Sequence, residues 1–313
     1  MNSPAYQDEE VPLRSFEIGV VLPLMQFGPD RATARWSVIR EMAVRAESIG
    51  FDTIWTPDEL LWRMEEGPPR GVWEGVAMSG AVAAVTSRAK VGTWVMSALH
   101  RNAGIIAKAA ETLDEISGGR FVFGLGAGHE WPGQAHAFGL PEDQIFARFD
   151  EALQIIIPLL RSGHVDFEGT WHAARDLPQQ PVGPRPNRIP ILIGGNGPKG
   201  QRHAVRHADI YSCYVEERAH IDEVRPRLAS LDVICAEVGR DPSTLGRSIG
   251  VVVNPLEPAG QRASALSGSA EEIADSFRSF RDGGFTQLEV MLGPGTIEAL
   301  EALAPVLELL DAD

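Results

Sequence analysis

Two short runs, Asp58-Glu59 and His129-Glu130, hold the residues of this chain best suited to moving a proton. A histidine beside a carboxylate can be tuned close to neutrality, as a general acid or base requires, although His129 could equally be a solvated loop residue. Asp58 and Glu59 end a strand pattern, and successive strand residues point to opposite faces, so they cannot share a proton as a carboxyl dyad does. One would orient a ligand, and the other would serve as a base or lie on the surface. Trp62, four residues beyond Asp58, would wall a ring-binding pocket or simply pack.

Two glycine-rich runs supply a different chemistry. Gly194-Gly195-Asn196-Gly197-Pro198 ends a strand and opens a helix, where bare backbone N–H groups and the helix dipole suit a phosphate, with Lys199 or Arg202 adding charge. It is not a P-loop, because no Gly-Lys-Ser/Thr follows. Gly124-Leu125-Gly126-Ala127-Gly128 strips side chains from a strand end, which admits a flat ring or a phosphate arm close to the backbone, or marks a bulge. His203 and His207 are four apart on a helix, but no HExxH or cysteine pair accompanies them, so no metal site is expected. No G-x-S-x-G nucleophile elbow occurs either.

These residues need elements to bring them together. Nearly continuous apolar runs at Ile18–Leu22, Thr53–Thr56, Val91–Val95, Phe121–Leu125, Ile191–Ile193, Ile210–Cys213, Ile249–Val253 and Leu288–Leu292 read as strands buried on both faces. Amphipathic helical patterns alternate with them. Examples are Trp36 to Ile49 closed by Gly50, Phe146 to Leu160 with a kink expected at Pro158, and a Ser269/Glu272 capping box. Eight such units close a (β/α)8 TIM barrel, with the chemistry at the C-terminal ends of the strands. An open doubly wound sheet is the alternative, since Gly195, Gly197 and Gly200 form a G-x-G-x-x-G, but five strands already precede it.

The expected organisation is a flexible acidic arm over residues 1–14 and one barrel domain over residues 15–313. An insertion at residues 165–190 lies between the fourth helix and the fifth strand, and a mobile flap is expected at residues 254–268. Ser117-Gly118-Gly119-Arg120 reads as a helix cap at the opposite, stabilising face. A net charge of −15 disfavours nucleic acid and anionic membranes as partners. With two cysteines, no signal-like segment and no long apolar run, a reduced, cytoplasmic protein is expected.

Taken in order, GVVLPL, RAESIGFDTIWTPDE, VGTWV, RNAGIIAKAAETLDEISGGRFVFGLGAG, ARFDEALQIIIPLLRSG, VDFEGTWH and PILIGGNGPKG resemble the luciferase-like monooxygenase superfamily, particularly its deazaflavin-using bacterial branch. The resemblance implies a hydride-transfer oxidoreductase using the 5-deazaflavin coenzyme F420 on a small-molecule substrate, as a homodimer paired through the early helices. An FMN-dependent monooxygenase is the alternative, and a non-catalytic flavin-binding protein a minor one. The resemblance further implies a non-prolyl cis peptide at Thr93–Trp94 or, preferably, Trp94–Val95, behind the coenzyme ring. Asp58 matches the acidic residue after the second strand. Gly126, Ala127, Gly128 and His129 match the coenzyme-arm turn, and Gly194, Gly195, Asn196 and Gly197, with Lys199 beyond them, match the phosphate-end loop. Glu59, His129 and Glu130 are the acid/base candidates. Many relatives place histidine directly after the aspartate where this chain has Glu59, and commonly read RNP where it has Arg101-Asn102-Ala103.

Overall fold

Apolar runs buried on both faces pair into a ring of parallel strands in the structure, a computed structural model that describes residues 14–26, 32–63, 67–128 and 133–313. The barrel strands are β1 (Glu17–Val21), β2 (Thr53–Thr56), β3 (Lys90–Thr93) and β4 (Phe121–Gly126), followed by β5 (Ile191–Gly194), β6 (Ile210–Tyr214), β7 (Gly246–Asn254) and β8 (Gln287–Leu292). Each pairs in parallel with the next, and β8 returns to β1 with Glu289 opposite Gly19. That closure rules out the open doubly wound sheet and makes a (β/α)8 barrel. Beyond β3 the chain bulges at Trp94 and Val95, then pairs again with β4 through Met96 and Ser97.

A helix follows each strand: α1 (Trp36–Ile49), α2 (Gly75–Val85), α3 (Ala103–Ser117), α4 (Ile145–Ser162), α5 (Pro198–His207), α6 (Ile221–Val238), α7 (Ala270–Asp282) and α8 (Ala304–Asp311). Their starts and stops are chemical. Asn102 caps α3 by accepting from Gly104 N at 2.9 Å, and Ser269 and Glu272 cap α7 reciprocally. Gly50 ends α1 at φ 99°, a left-handed conformation that side chains other than glycine rarely adopt. The apolar stripes of α1, α3 and α4 bury Ile39, Met42, Ile106, Leu113, Phe149, Leu153 and Ile156 against the outside of the strands. Each such side chain contributes about 1.5–3 kcal/mol. A smaller cluster around Trp55, Val122 and Leu192, joined by Trp94 and Val95, fills the inside.

Between α4 and β5 an antiparallel hairpin, His164–Glu168 with Ala173–Pro178, precedes an irregular path through Gln179 and a cis Gln180–Pro181 bond. Of the expected acidic arm, the first thirteen residues lie outside the described residues. Arg14, the first described residue, donates to Gly50 O at 2.9 Å and pairs with Asp52 and Asp311. Within residues 254–268, Ala265–Ser267 pairs in parallel with Val252–Asn254 and extends the sheet.

Candidate active site at the barrel mouth

The turn after β2 buries its aspartate instead of presenting it. Asp58 is 3% exposed and takes Arg101 in a bidentate pair, 2.7 Å at each oxygen, while Ser97 N donates to Oδ2 at 2.9 Å. His100 Nδ1 lies 3.4 Å from the same oxygen, and Arg101 also reaches Glu74, the cap of α2. Burial pushes the Asp58 carboxyl up, but hydrogen bonds from His100 and Arg101 and the guanidinium charge outweigh it and hold Asp58 below the usual carboxylate range. Gln134 completes the cluster. Its Oε1 accepts from Leu60 N and Leu61 N at 2.7 and 2.9 Å, so it holds the turn that carries Glu59. Asp58 therefore stands behind the mouth, binding β2, the bulge and α2 together, while the half-buried Glu59 follows it on the same turn.

The Trp94–Val95 bond is cis, the position the resemblance favours. Val95 projects between β4 and β5, where only glycine leaves it room. A Cβ on Gly126 would lie 2.8 Å from Val95 Cγ2, and one on Gly194 would lie 3.2 Å from Cγ1. Gly128, at φ 97°, sits on Ser97 and Leu99, and Ala127 between them is half-buried against the core. Ser97, opposite Gly126, joins this glycine-cleared floor to the Asp58 cluster. Asp58, Val95, Gly126, Gly128 and Gly194 thus converge on one sector of the mouth. The Trp94 indole turns away from it, into the barrel, where Nε1 donates to Ser212 Oγ at 3.1 Å and the ring fills the space left by Gly250.

The loop after β5 is more committed than its glycines suggest. Gly195 N donates to Ser212 O and Gly195 O accepts from Tyr211, both at 3.0 Å. Gly195 and Gly200 approach so closely that a Cβ on either would lie 2.9 Å from the other's Cα. Asn196 spends its side chain on Tyr214 N and Glu216. What remains for an anion is the start of α5, where Gly197 has no side-chain cap and is open to solvent. Lys199 reaches outward, 4.9 Å over the Phe146 ring, at a cavity of about 420 Å³ between α4 and α5 that Arg202 and Arg206 also line. Replacing Gly195 with valine is expected to open the β5–α5 turn and lower the melting temperature by several degrees in a thermal scan.

This architecture has relatives. Residues 16–254 match the luciferase-like monooxygenase family. The chain belongs to that family. It is 32% identical over 214 residues to an F420-dependent glucose-6-phosphate dehydrogenase of Amycolatopsis mediterranei, covering 63% of this chain and 57% of that protein. Against the protein of the same name from Nakamurella multipartita it is 35% identical over 194 residues, covering 59% and 52%. The chain thus spans a little over half the length of these relatives. Among solved structures, an F420-dependent secondary alcohol dehydrogenase superposes with a TM-score of 0.79 at 18% identity, covering 94% of this chain and 99% of that one. A monooxygenase from Streptomyces bottropensis does so at 0.75 and 20% identity, covering 94% and 99%. At such identities the likeness shows the shared barrel alone.

Inside this luciferase-like barrel lies an acid that sequence reading passed over. Glu289, on β8, is 1% exposed, and Ser248 Oγ donates to its Oε1 at 3.0 Å. Burial pushes its pKa up to about 8, and the neighbouring acids Glu17 and Asp52 push the same way. The unfolded chain releases this proton near the ordinary glutamate value of about 4.3, whereas the folded barrel keeps it to about pH 8. Stability is therefore highest below the unfolded pKa and falls as pH rises through that window, by at most about 1.4 kcal/mol per pH unit. Glu289→Gln should remove this slope. Equal slopes for the two proteins in urea titrations from pH 5 to 8 would refute it.

His129, Glu130 and Trp131 lie outside the described residues. His203 is set edge-to-face on Phe149 and 3.5 Å from Asp150, outside the strand ring. From sequence, His100 and Arg101 belong to the strand-end stretch Trp94–Arg101 but carry no assigned role, and Gln134 was missed. Only the position of Arg101, next to the helix-capping Asn102 and just beyond a strand end, offered a signal.

Proposed function

We propose that this protein moves a hydride between the 5-deazaflavin coenzyme F420 and a small organic substrate at the mouth of the barrel. The observation that carries the reading is the floor where Val95 stands between Gly126 and Gly194, because a planar ring can rest there against backbone and a small apolar side chain. The names of the relatives support the choice of coenzyme. Coenzyme F420, when bound, accepts or donates hydride at ring carbon 5 and does not readily activate oxygen.

The chain's own part is to bind, orient and move a proton. Gly126, Ala127 and Gly128 would take the arm of the coenzyme, and the open start of α5 at Gly197 its phosphate, with Lys199 adding positive charge farther out. The Asp58–Arg101 pair holds Ser97 and the turn after β2 in place. Glu59, on that turn, is the proposed general acid or base, with His129 and Glu130, which follow β4 in the sequence, as the further candidates. Because Glu59 stands where many relatives have histidine, the proposal does not extend to glucose 6-phosphate as substrate.

A homodimer is part of this reading. It is supported by exposed apolar side chains on the early helices: Trp36, Val38 and Val44 on α1, and Ile105 and Ile116 on α3. Light scattering at twice the monomer mass is the expected result. A cytoplasmic location is likewise proposed. Among the described residues no helix is long and apolar enough to cross a membrane.

The deciding experiment titrates the purified protein separately with coenzyme F420 and with FMN while following tryptophan fluorescence. Saturable quenching by coenzyme F420 is expected. Tight binding of FMN alone would instead favour the flavin monooxygenase. Glu59→Gln should lower kcat by about 10²–10⁴-fold with coenzyme affinity unchanged. Unchanged turnover would remove Glu59 from the mechanism.

A further inference from the structure

Polar side chains inside the barrel line up in one direction. Trp94 Nε1 donates to Ser212 Oγ at 3.1 Å, Ser212 donates to Ser248 Oγ at 3.5 Å, and Ser248 donates to Glu289 Oε1 at 3.0 Å. Ser212, Ser248 and Glu289 are 2%, 0% and 1% exposed. They come from β6, β7 and β8, while Trp94 comes from the bulge after β3. The relay therefore crosses the inside of the ring from the strands on one side to the bulge on the other.

We propose that Glu289 is a positioning residue, which acts through Ser248 and Ser212 to hold the Trp94 indole across the barrel and so sets the Trp94–Val95 backbone at the mouth. Apolar packing alone would not require a carboxyl here. The other deeply buried acids have evident partners: Asp58 and Asp114 pair with arginines, and Glu111 accepts from Gly183 N. Among the described residues Glu289 faces no cation, and the Trp55 indole Nε1 lies beside its second oxygen. The acids that act on it, Glu17 and Asp52, are themselves paired with Lys90 and Arg14. Space has been cleared for the carboxyl and for the indole at both ends of the relay. A Cβ on Gly19 would lie 2.1 Å from Glu289 Oε2, and one on Gly250 would lie 2.4 Å from the Trp94 ring. An acceptor on β8 gives the relay an end, and without one Ser248 loses the partner that orients it and each donor behind it loses its direction. The inference rests on the proposed coenzyme reading only in its last step, the effect on the mouth.

The test uses the full-length protein labelled with ¹⁵N-tryptophan, the Trp94 indole signal being assigned with Trp94→Phe. In the free protein, Glu289→Leu, Ser248→Ala and Ser212→Ala should each move that signal and speed exchange of its N–H at least tenfold. Glu289→Gln, which keeps an acceptor oxygen, should leave it in place. A purely structural role for Glu289 would lower stability without singling out Trp94. If Glu289→Leu does not fold, Ser248→Ala decides, since it cuts the relay and leaves the carboxyl intact. An unmoved Trp94 signal in Ser248→Ala overturns the proposal. For the last step, Ser248→Ala should weaken coenzyme F420 binding by about tenfold, as expected for one supporting hydrogen bond. Unchanged affinity beside a shifted Trp94 signal would overturn the link to the mouth.

Discussion

Asp58→Ala is expected to lower the stability of the barrel by about 3–5 kcal/mol, the usual cost of removing one partner from a buried ion pair. Three losses combine. Arg101, whose side chain is 16% exposed, keeps among the described residues only Glu74 as an acidic partner. Ser97 N loses its acceptor beside the bulge, and a buried unsatisfied donor alone costs about 1–3 kcal/mol. The first residue of α2 loses its support, since Gly75 stands directly on Pro57 and Asp58. Because the folded pKa of Asp58 is depressed, the contribution of the pair is present above the unfolded value of about 3.9 and disappears as pH falls through the folded one. Wild type and variant should therefore differ most near neutrality and converge in acid. Denaturant midpoints measured at pH 7 and pH 3 check this, and a difference below about 1 kcal/mol at pH 7 would mean that the pair is not holding the mouth. Turnover should fall with stability, since the turn carrying Glu59 is anchored to the same cluster.

Gly124→Ala should be the most damaging methyl addition at the mouth. A Cβ there would lie 1.8 Å from Thr93 O, a backbone atom of the neighbouring strand that cannot rotate aside. Thr93 and Gly124 are also locked by two hydrogen bonds through Thr93 Oγ1, at 2.7 and 3.1 Å. Relief requires β3 and β4 to separate where the bulge begins, at a cost of about 3 kcal/mol or more, the upper end for overpacking. Gly126→Ala offers the control. Its methyl meets a side-chain atom, Val95 Cγ2 at 2.8 Å, which can shift, so it should cost less stability while still disturbing the proposed ring floor. Thermal melts should rank wild type above Gly126→Ala and Gly126→Ala above Gly124→Ala. The reverse order would show that the strand separation is not the controlling feature.

Some of this site could be read from residue order because its causes are local. Parallel strands covered on both faces need apolar side chains on both, so the runs appear undisguised, and Thr53–Thr56 was placed to the residue. The caps of α1 and α7 follow from the residue type at one position. Other features depend on which way a side chain turns, and the same letters allow several directions. The peptide at Trp94 was expected behind the coenzyme ring, but nothing in the residue order says that its indole reaches inward to Ser212. Asn196 was expected to serve a ligand but ties its loop to Tyr214 and Glu216. Arg101 has no assigned role in the sequence reading, yet it is the counter-ion of an aspartate 43 positions earlier.

The order of residues alone thus determined the element types, the parallel ring and the rim at which chemistry collects, since periodicity and backbone sterics act over a few neighbours. Only the tertiary structure decided which charges meet, that Asp58 is spent on Arg101, and that Glu289 is buried inside the ring with its pKa raised. The physical reason is that pairing and desolvation depend on distances across the barrel, between residues far apart along the chain.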